Sequence, residues 1–172
     1  MLYNDRKGGF VDWDEYFLKI AETVSLRSKD PSTKVGTVIV DEKHRPISFG
    51  YNGLIQGADE SKLTLSERPM KYYFSMHSEI NAIIFARRDL SGCTCYSVYA
   101  PCVDCLRFLL QAGITRIVYK YAHVNSHKNK AKASMQNSET DTAIIALLDA
   151  MPHVEVVNGI NGKTYKEELE EK

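Results

Sequence analysis

Short apolar segments alternate with segments of helical spacing along most of the chain, and this alternation restricts the fold more than any other feature. Five segments have the length and apolar character of strands: 35–40, 46–51, 94–99, 114–121 and 154–157. A polar turn typical of a hairpin separates the first two. Four segments carry apolar residues at helical spacing: 11–28, 77–88, 102–112 and 140–150. This order predicts a three-layer α/β/α sandwich around a mixed, about five-stranded sheet.

The segments between these elements complete the expected organisation. The connection 52–76 is long and mostly irregular, and loops of that length inside a compact domain are usually functional or mobile. A chain of 172 residues fits one domain, which we expect to span residues 1–172. Its core would lie at about 11–158, with a polar insertion at about 122–138. The charged tail at about 162–172 is typical of a solvated or frayed helix end.

Charge and hydropathy narrow the expected partners. Basic and acidic residues number 22 each, whereas a protein that binds nucleic acid by neutralising phosphates usually carries a basic excess. A small substrate is therefore favoured over nucleic acid. No apolar run approaches the roughly 20 residues that cross a bilayer, and the N-terminal segment lacks the apolar core of a signal peptide. We expect a cytoplasmic protein with no membrane partner, whose four cysteines bind metal or stay reduced.

Two short motifs, each at the start of a predicted helix, carry ligands suited to zinc. Cys102 and Cys105 lie three residues apart, so on a helix they share one face and can bind one ion. His77, which begins the preceding helix, would supply a third ligand. Three protein ligands leave a fourth tetrahedral position open, which is typical of a catalytic rather than a structural zinc site.

Glu79 is the expected proton carrier beside this site. It follows His77 by two residues, which is about 200° around an ideal helix, so mid-helix the two side chains would point apart. The hypothesis therefore requires both residues to lie where the chain enters the helix. The order H-x-E and then P-C-x-x-C is the signature of zinc-dependent nucleobase deaminases, in which the glutamate moves protons.

Other interpretations of the same residues remain open. A structural zinc module would need a fourth ligand, for which Cys93 and Cys95 are the spare thiols. These two alternate along a predicted strand, so at most one faces a given side. We interpret them as core or free cysteines, with a second metal site as the alternative.

Beyond the two motifs, the chain resembles the deoxycytidylate deaminases of the cytidine deaminase-like superfamily. The similar segments follow the family's order across about residues 11–121: DWDEYF at 12–17, SKDPSTKVG at 28–36, GYNG at 50–53, HSEINAI at 77–83 and APCVDC at 100–105. RSKDP at 27–31 and GYNG distinguish this branch from transfer-RNA adenosine deaminases and nucleoside cytidine deaminases. The resemblance implies hydrolysis of dCMP to dUMP and ammonia, a reaction that supplies thymidylate synthesis.

The resemblance also suggests which residues bind the substrate. Arg27 and Ser28 offer a guanidinium and a hydroxyl to a phosphate. Asn52 could bind a sugar hydroxyl or a base edge, or could simply be a turn residue. Ser78 and Ala100 occupy positions where the family uses backbone groups in the base pocket. The insertion lies where further contacts are expected, and the candidates near it are Lys120, Tyr121 and His123.

Many members of the family are homo-oligomers, and the resemblance implies a hexamer or a dimer. It also implies dCTP with Mg²⁺ as an activator and dTTP as an inhibitor. Alternatives are a related deaminase acting on dCTP, cytosine nucleosides or RNA adenosine, and a catalytically silent nucleotide-binding regulator. The presence of Glu79 argues against the silent regulator.

Overall fold

The computed structural model describes residues 9–122 and 138–171. Within them the predicted strands and helices are all present, with small shifts at their ends. In chain order the elements are α1 (Trp13–Ser25), β1 (Gly36–Val40), β2 (Pro46–Tyr51), β3 (Gly53–Leu54), α2 (Lys71–Phe74), β4 (Ser75–Met76), α3 (Ser78–Ala86), β5 (Thr94–Tyr99), α4 (Val103–Gln111), β6 (Arg116–Tyr121), α5 (Ser138–Ala150), β7 (Glu155–Asn158) and α6 (Tyr165–Glu170).

Five strands form one mixed sheet in the order β2-β1-β5-β6-β7. β1 pairs antiparallel with both β2 and β5, whereas β6 runs parallel to β5 and β7. The predicted five-stranded mixed sheet is confirmed. β3 and β4 pair separately with each other inside the 52–76 connection, so that segment is less irregular than the sequence suggested.

Helices cover both faces of the sheet, which confirms the three layers. Val38 and Val40 of β1 pack with Phe17 and Ala21 of α1 on one face. Ile39, between them, points to the other face. There it joins a larger core with buried residues of four helices: Ala82 of α3, Leu106 and Leu109 of α4, Ile144 of α5 and Tyr165 and Leu169 of α6.

The first helix begins as its sequence predicts. Asp12 lies in extended conformation ahead of α1, and its side chain accepts a hydrogen bond from the backbone N–H of Glu15 at 2.8 Å. On the sheet side, Gly36 of β1 lies so close to α1 that a Cβ atom there would meet the carbonyl oxygen of Ala21 at 2.0 Å. The absence of a side chain at Gly36 therefore sets how closely α1 approaches β1.

The expectation of a solvated tail is wrong in one respect. Residues 165–170 do form a helix, begun by a capping box between Thr164 and Glu167. However, Tyr165 is fully buried and Leu169, one turn later, is also buried, so one face of this charged helix completes the core. The polar insertion at 122–138 lies outside the described residues except at its two ends.

No helix in residues 9–122 or 138–171 combines the length and apolar character that a membrane crossing requires.

Candidate active site

The two motifs meet where α3 and α4 begin. His77 and Cys102 are the N-cap residues of these helices, and both have extended backbones, with φ/ψ of −74°/152° and −68°/167°. Neither side chain makes a capping hydrogen bond to its own helix. Both are directed instead to one point, together with Cys105 from the first turn of α4.

The three side chains are spaced as ligands of one zinc ion. His77 Nδ1 lies 3.2 Å from Cys105 Sγ and 3.6 Å from Cys102 Sγ, and all the donor atoms lie within 4.8 Å of one another. Ideal Zn–N and Zn–S bonds at tetrahedral angles would separate nitrogen from sulfur by about 3.6 Å and the two sulfurs by about 3.8 Å. The donor set therefore fits Zn²⁺ in type and in spacing. Within the described residues it is the one cluster of three or more histidine, cysteine and acidic side chains close enough to hold a metal.

The protonation of these three groups is strongly coupled. A hydrogen bond from Cys105 lowers the pKa of Cys102 to about 4, and the same bond together with burial raises the pKa of the Cys105 thiol. The hydrogen bond with Cys102 raises the pKa of His77 to about 9. The three donor atoms thus share protons among themselves, and a zinc ion displaces such protons when it binds.

Glu79 meets the geometric condition set by the sequence. Because His77 has an extended backbone and Glu79 is only the second helical residue, the angle of an ideal helix does not separate their side chains. Glu79 is buried, and its interactions with His77, Cys102 and Cys105 place it at the same site. Burial raises the pKa of its carboxyl group and, together with the Cys102 charge, outweighs the lowering by the nearby His77 charge. A carboxylate held in this way is suited to accept and return a proton.

A buried chain of hydroxyl groups leads to Glu79. Ser78 Oγ donates to Glu79 Oε2 at 3.0 Å and lies 2.8 Å from Thr37 Oγ1, which in turn lies 3.2 Å from Ser97 Oγ. Thr37 and Ser97 are register partners on β1 and β5. Sequence analysis missed these two residues, although a small hydroxyl residue inside a strand predicted to be buried was a usable signal.

Comparison with known proteins identifies the family. A family model described as "Cytidine and deoxycytidylate deaminase zinc-binding region" matches residues 11–121, which include both motifs. The chain belongs to this deaminase family.

Individual deaminases are similar to this chain over 61–66% of its length. A protein of Aliivibrio fischeri described as "Uncharacterized deaminase in luxG 3'region" is 43% identical over 105 residues, covering 61% of this chain and 70% of that protein. Deoxycytidylate deaminase of Homo sapiens is 32% identical over 120 residues, covering 66% of this chain and 67% of the human protein. The crystal structure of dCMP deaminase from cyanophage S-TIM5 in complex with dCMP and dUMP is 26% identical, with a TM-score of 0.53, and the match covers 65% of this chain and 83% of that one.

Ser28 and Asn52, which the deaminase resemblance assigns to the substrate, have internal partners. Ser28 donates its hydroxyl proton to the carbonyl of Asn52 at 2.7 Å and its backbone N–H to Ser25. The Asn52 amide accepts from the backbone N–H of Val35 at 2.8 Å and donates to the Thr33 carbonyl at 2.9 Å. In this arrangement both side chains stabilise the loop before β1, and their contact with substrate stays a prediction.

Arg27 has a different environment. Its exposed side chain lines a cavity of about 600 Å³ together with Lys29, Tyr51 and Asn81. None of the three candidate zinc ligands lines this cavity, which includes residues of β2 at the edge of the sheet. The cavity brings two cations, Arg27 and Lys29, close to the residues that flank Asn52.

The remaining predicted residues lie at the carboxyl end of β5 and β6. Ala100 is buried, and its backbone N–H donates to the carbonyl of Tyr121 at 2.9 Å. Lys120 forms an ion pair with Glu22, and Tyr121 packs against Tyr99 with 5.5 Å between ring centroids. His123 lies outside the described residues.

Cys93 and Cys95 are buried free thiols and take no part in the zinc cluster. Burial raises the pKa of both thiols, which keeps them protonated and uncharged at neutral pH. Their interpretation as core cysteines is confirmed.

Proposed function

We propose that this chain is a zinc-dependent dCMP deaminase, with Zn²⁺ bound by His77, Cys102 and Cys105 and with Glu79 as the proton carrier. One observation carries the proposal: three donor atoms of the right type lie within 4.8 Å of one another beside a buried carboxyl group. The family supports the reaction class, because its matching region is described as zinc-binding and as belonging to cytidine and deoxycytidylate deaminases.

Zinc, when bound by three ligands, supplies Lewis acidity that activates a water molecule in its open fourth position. Glu79 accepts a proton from the attacking water and delivers it to N3 of the cytosine ring, while the water oxygen bonds to C4. Glu79 then carries the second water proton to the exocyclic amine, the C4–N4 bond breaks, and ammonia leaves. The products are a C4 carbonyl, a protonated N3 and an unchanged Glu79. Positioned proton transfer of this kind typically contributes about 10²–10⁴-fold to the rate.

A hydrogen bond to Glu79 supports a role for Ser78 in this scheme. Its hydroxyl donates to one carboxylate oxygen of Glu79, which restricts the rotation of that carboxylate toward the water and the ring. Its backbone, and that of Ala100 two residues before Cys102, would contact the base. Both residues are buried next to the starts of the two helices that carry the candidate ligands.

The preference for a monophosphate is supported by relatives and by charge. Human deoxycytidylate deaminase and the cyanophage dCMP deaminase complex carry this substrate in their names. The Arg27 side chain is exposed and would pair with the phosphate, and Lys29 on the same loop forms an ion pair with Glu60 at 2.7 Å. Ser28 and Asn52 would act on the substrate through the loop that they stabilise.

Regulation and assembly follow from the family resemblance. We retain as predictions a cytoplasmic homo-oligomer, hexameric or dimeric, activated by dCTP with Mg²⁺ and inhibited by dTTP. A substrate other than dCMP, namely dCTP, a cytosine nucleoside or RNA adenosine, is the alternative for the same zinc chemistry.

Ammonia release from a panel of substrates tests the proposal. The purified, zinc-loaded protein would be incubated separately with dCMP, dCTP, deoxycytidine, cytidine and an adenosine-containing RNA hairpin. We expect dCMP to have the highest kcat/KM of the panel. Turnover of a nucleoside, dCTP or RNA with none of dCMP would contradict the substrate assignment, and no turnover of any of them would contradict the enzymatic function.

A further inference from the structure

The segment that enters α4 contains a proline, which limits the hydrogen bonds that can fix its backbone. Pro101 lies between Ala100, proposed to contact the base, and Cys102, proposed to bind zinc. A proline has no backbone N–H, so its carbonyl is the only polar group that can fix this residue. Pro101 is buried, and its carbonyl accepts a hydrogen bond from the Tyr165 hydroxyl at 3.2 Å.

Tyr165 belongs to α6, which lies outside the part of the chain that matches the deaminase family. The helix is nevertheless firmly attached to the sheet. Glu168 accepts hydrogen bonds from the Tyr119 hydroxyl at 2.7 Å and from the Asn158 amide at 2.8 Å. The capping box of Thr164 and Glu167 fixes the first turn of α6, in which Tyr165 is the first residue. Tyr165 therefore approaches Pro101 from a well-supported position.

The segment is held from two sides. The backbone N–H of Ala100 donates to Tyr121 at the end of β6, and one residue later the Pro101 carbonyl accepts from Tyr165. Cys102 follows directly, with its Sγ 3.6 Å from His77 Nδ1. Two hydrogen bonds, one to β6 and one from α6, thus fix the backbone immediately before a ligand whose position must match two others.

We propose that Tyr165 is a positioning residue for the zinc site, acting through the Pro101 carbonyl on Cys102 and Ala100. This role rests on the zinc site of the proposed function. It means that α6, which lies outside the residues 11–121 matched by the family model, also helps to hold the metal. Partners that orient metal ligands from outside the ligand set typically change metal affinity or activity by about 10–100-fold. Because Tyr165 acts through one intervening backbone, we expect an effect at the low end, about 10-fold.

Tyr165→Phe tests this role, with Tyr96→Phe as the matched control. Each substitution removes one hydroxyl from a buried tyrosine. The Tyr96 hydroxyl, however, donates to Asp14 Oδ1 of α1 at 3.1 Å, and its ring packs in the core on the other face of the sheet. Zinc affinity of the metal-free full-length proteins would be measured by competition with a chromophoric chelator. Thermal unfolding would show how much each substitution destabilises the fold.

We expect Tyr165→Phe to bind Zn²⁺ about 10-fold more weakly than wild type and Tyr96→Phe to bind it as tightly as wild type does. We also expect the kcat for dCMP to fall in Tyr165→Phe alone. Equal zinc affinity in all three proteins, or an equal loss in both variants, would overturn the positioning role. If the wild type deaminates no dCMP but the difference in zinc affinity persists, the proposed substrate fails and the role of Tyr165 stands.

Discussion

Lys71 is a charged residue whose side chain is almost fully buried. Its Nζ lies 2.7 Å from Asp30 Oδ2, and each side chain is 4% exposed. Lys71 begins α2, which leads through β4 directly into His77, whereas Asp30 lies in the loop between α1 and β1. The ion pair therefore joins the segment that enters the active site to the loop that carries Arg27.

Lys71→Met leaves the Asp30 carboxylate buried without its countercharge. Breaking a buried ion pair from one side typically costs about 3–5 kcal/mol. Asp30 keeps three other donors in this protein, the backbone N–H groups of Ser32 and Thr33 and the Ser32 hydroxyl, all within 3.1 Å. We therefore expect a loss of about 2–3 kcal/mol, below the usual range. In a chain of this length that corresponds to a fall of about 4–12 °C in Tm.

The same pair predicts a dependence on pH. Burial raises the pKa of Asp30, but hydrogen bonds from Lys71, Ser32 and Thr33 outweigh burial and hold the pKa below its ordinary value. A lowered pKa contributes stability above the unfolded-state pKa of about 3.9, and that stability is lost as the pH falls through the folded-state pKa. The difference in stability between wild type and Lys71→Met should be complete at neutral pH and should shrink below about pH 4.

A double-mutant cycle measures the interaction. Urea unfolding of wild type, Lys71→Met, Asp30→Asn and the double variant would be compared at one protein and one zinc concentration, because bound metal and assembly also stabilise the fold. The double variant buries no unpaired charge, so it should be more stable than Lys71→Met alone. A coupling free energy below about 0.5 kcal/mol, the scatter expected of independent sites, would refute the reasoning.

Two further predictions concern the site and its substrate. In Gly50→Ala the new Cβ would lie 2.0 Å from the carbonyl oxygen of Ser78, so α3 must move away from β2. We expect a loss of about 1–3 kcal/mol together with a marked fall in kcat. Gly36→Ala serves as the control, because its Cβ would lie equally close to the carbonyl oxygen of Ala21 in α1. It should lose similar stability with a smaller fall in kcat, and equal losses of kcat in the two variants would contradict the argument. Arg27→Gln should reduce kcat/KM about 10-fold for dCMP but not for deoxycytidine, since only dCMP has a phosphate, and an equal loss for both would exclude a phosphate contact.

The pattern of apolar residues was sufficient to predict the sheet and its helices because it reports which faces of each element are buried. The continuous apolar run of β1 predicts a strand buried on both faces, and Val38 and Val40 do face α1 while Ile39 faces the opposite core. The spacing of Cys102 and Cys105 likewise predicted which side chains meet, because two residues three positions apart at the start of a helix lie on the same face.

Local sequence could not predict interactions that depend on distant parts of the chain. Nothing near Tyr165 indicates that its hydroxyl reaches Pro101, since the two residues are 64 positions apart and the surrounding tail is charged. For Asn52 the residue type suits both a substrate contact and a turn. Only the fold shows that its amide bonds to the backbone of Thr33 and Val35.

Zinc content and turnover measured together on Glu79→Gln test the central claim most directly. The amide keeps the size of the side chain but cannot carry a proton between water and the base. We expect the variant to bind one Zn²⁺ as wild type does and to lose about 10²–10⁴-fold in kcat for dCMP. A zinc-loaded Glu79→Gln protein that deaminates dCMP at a rate within a few-fold of wild type would contradict the role of Glu79 and with it the proposed mechanism.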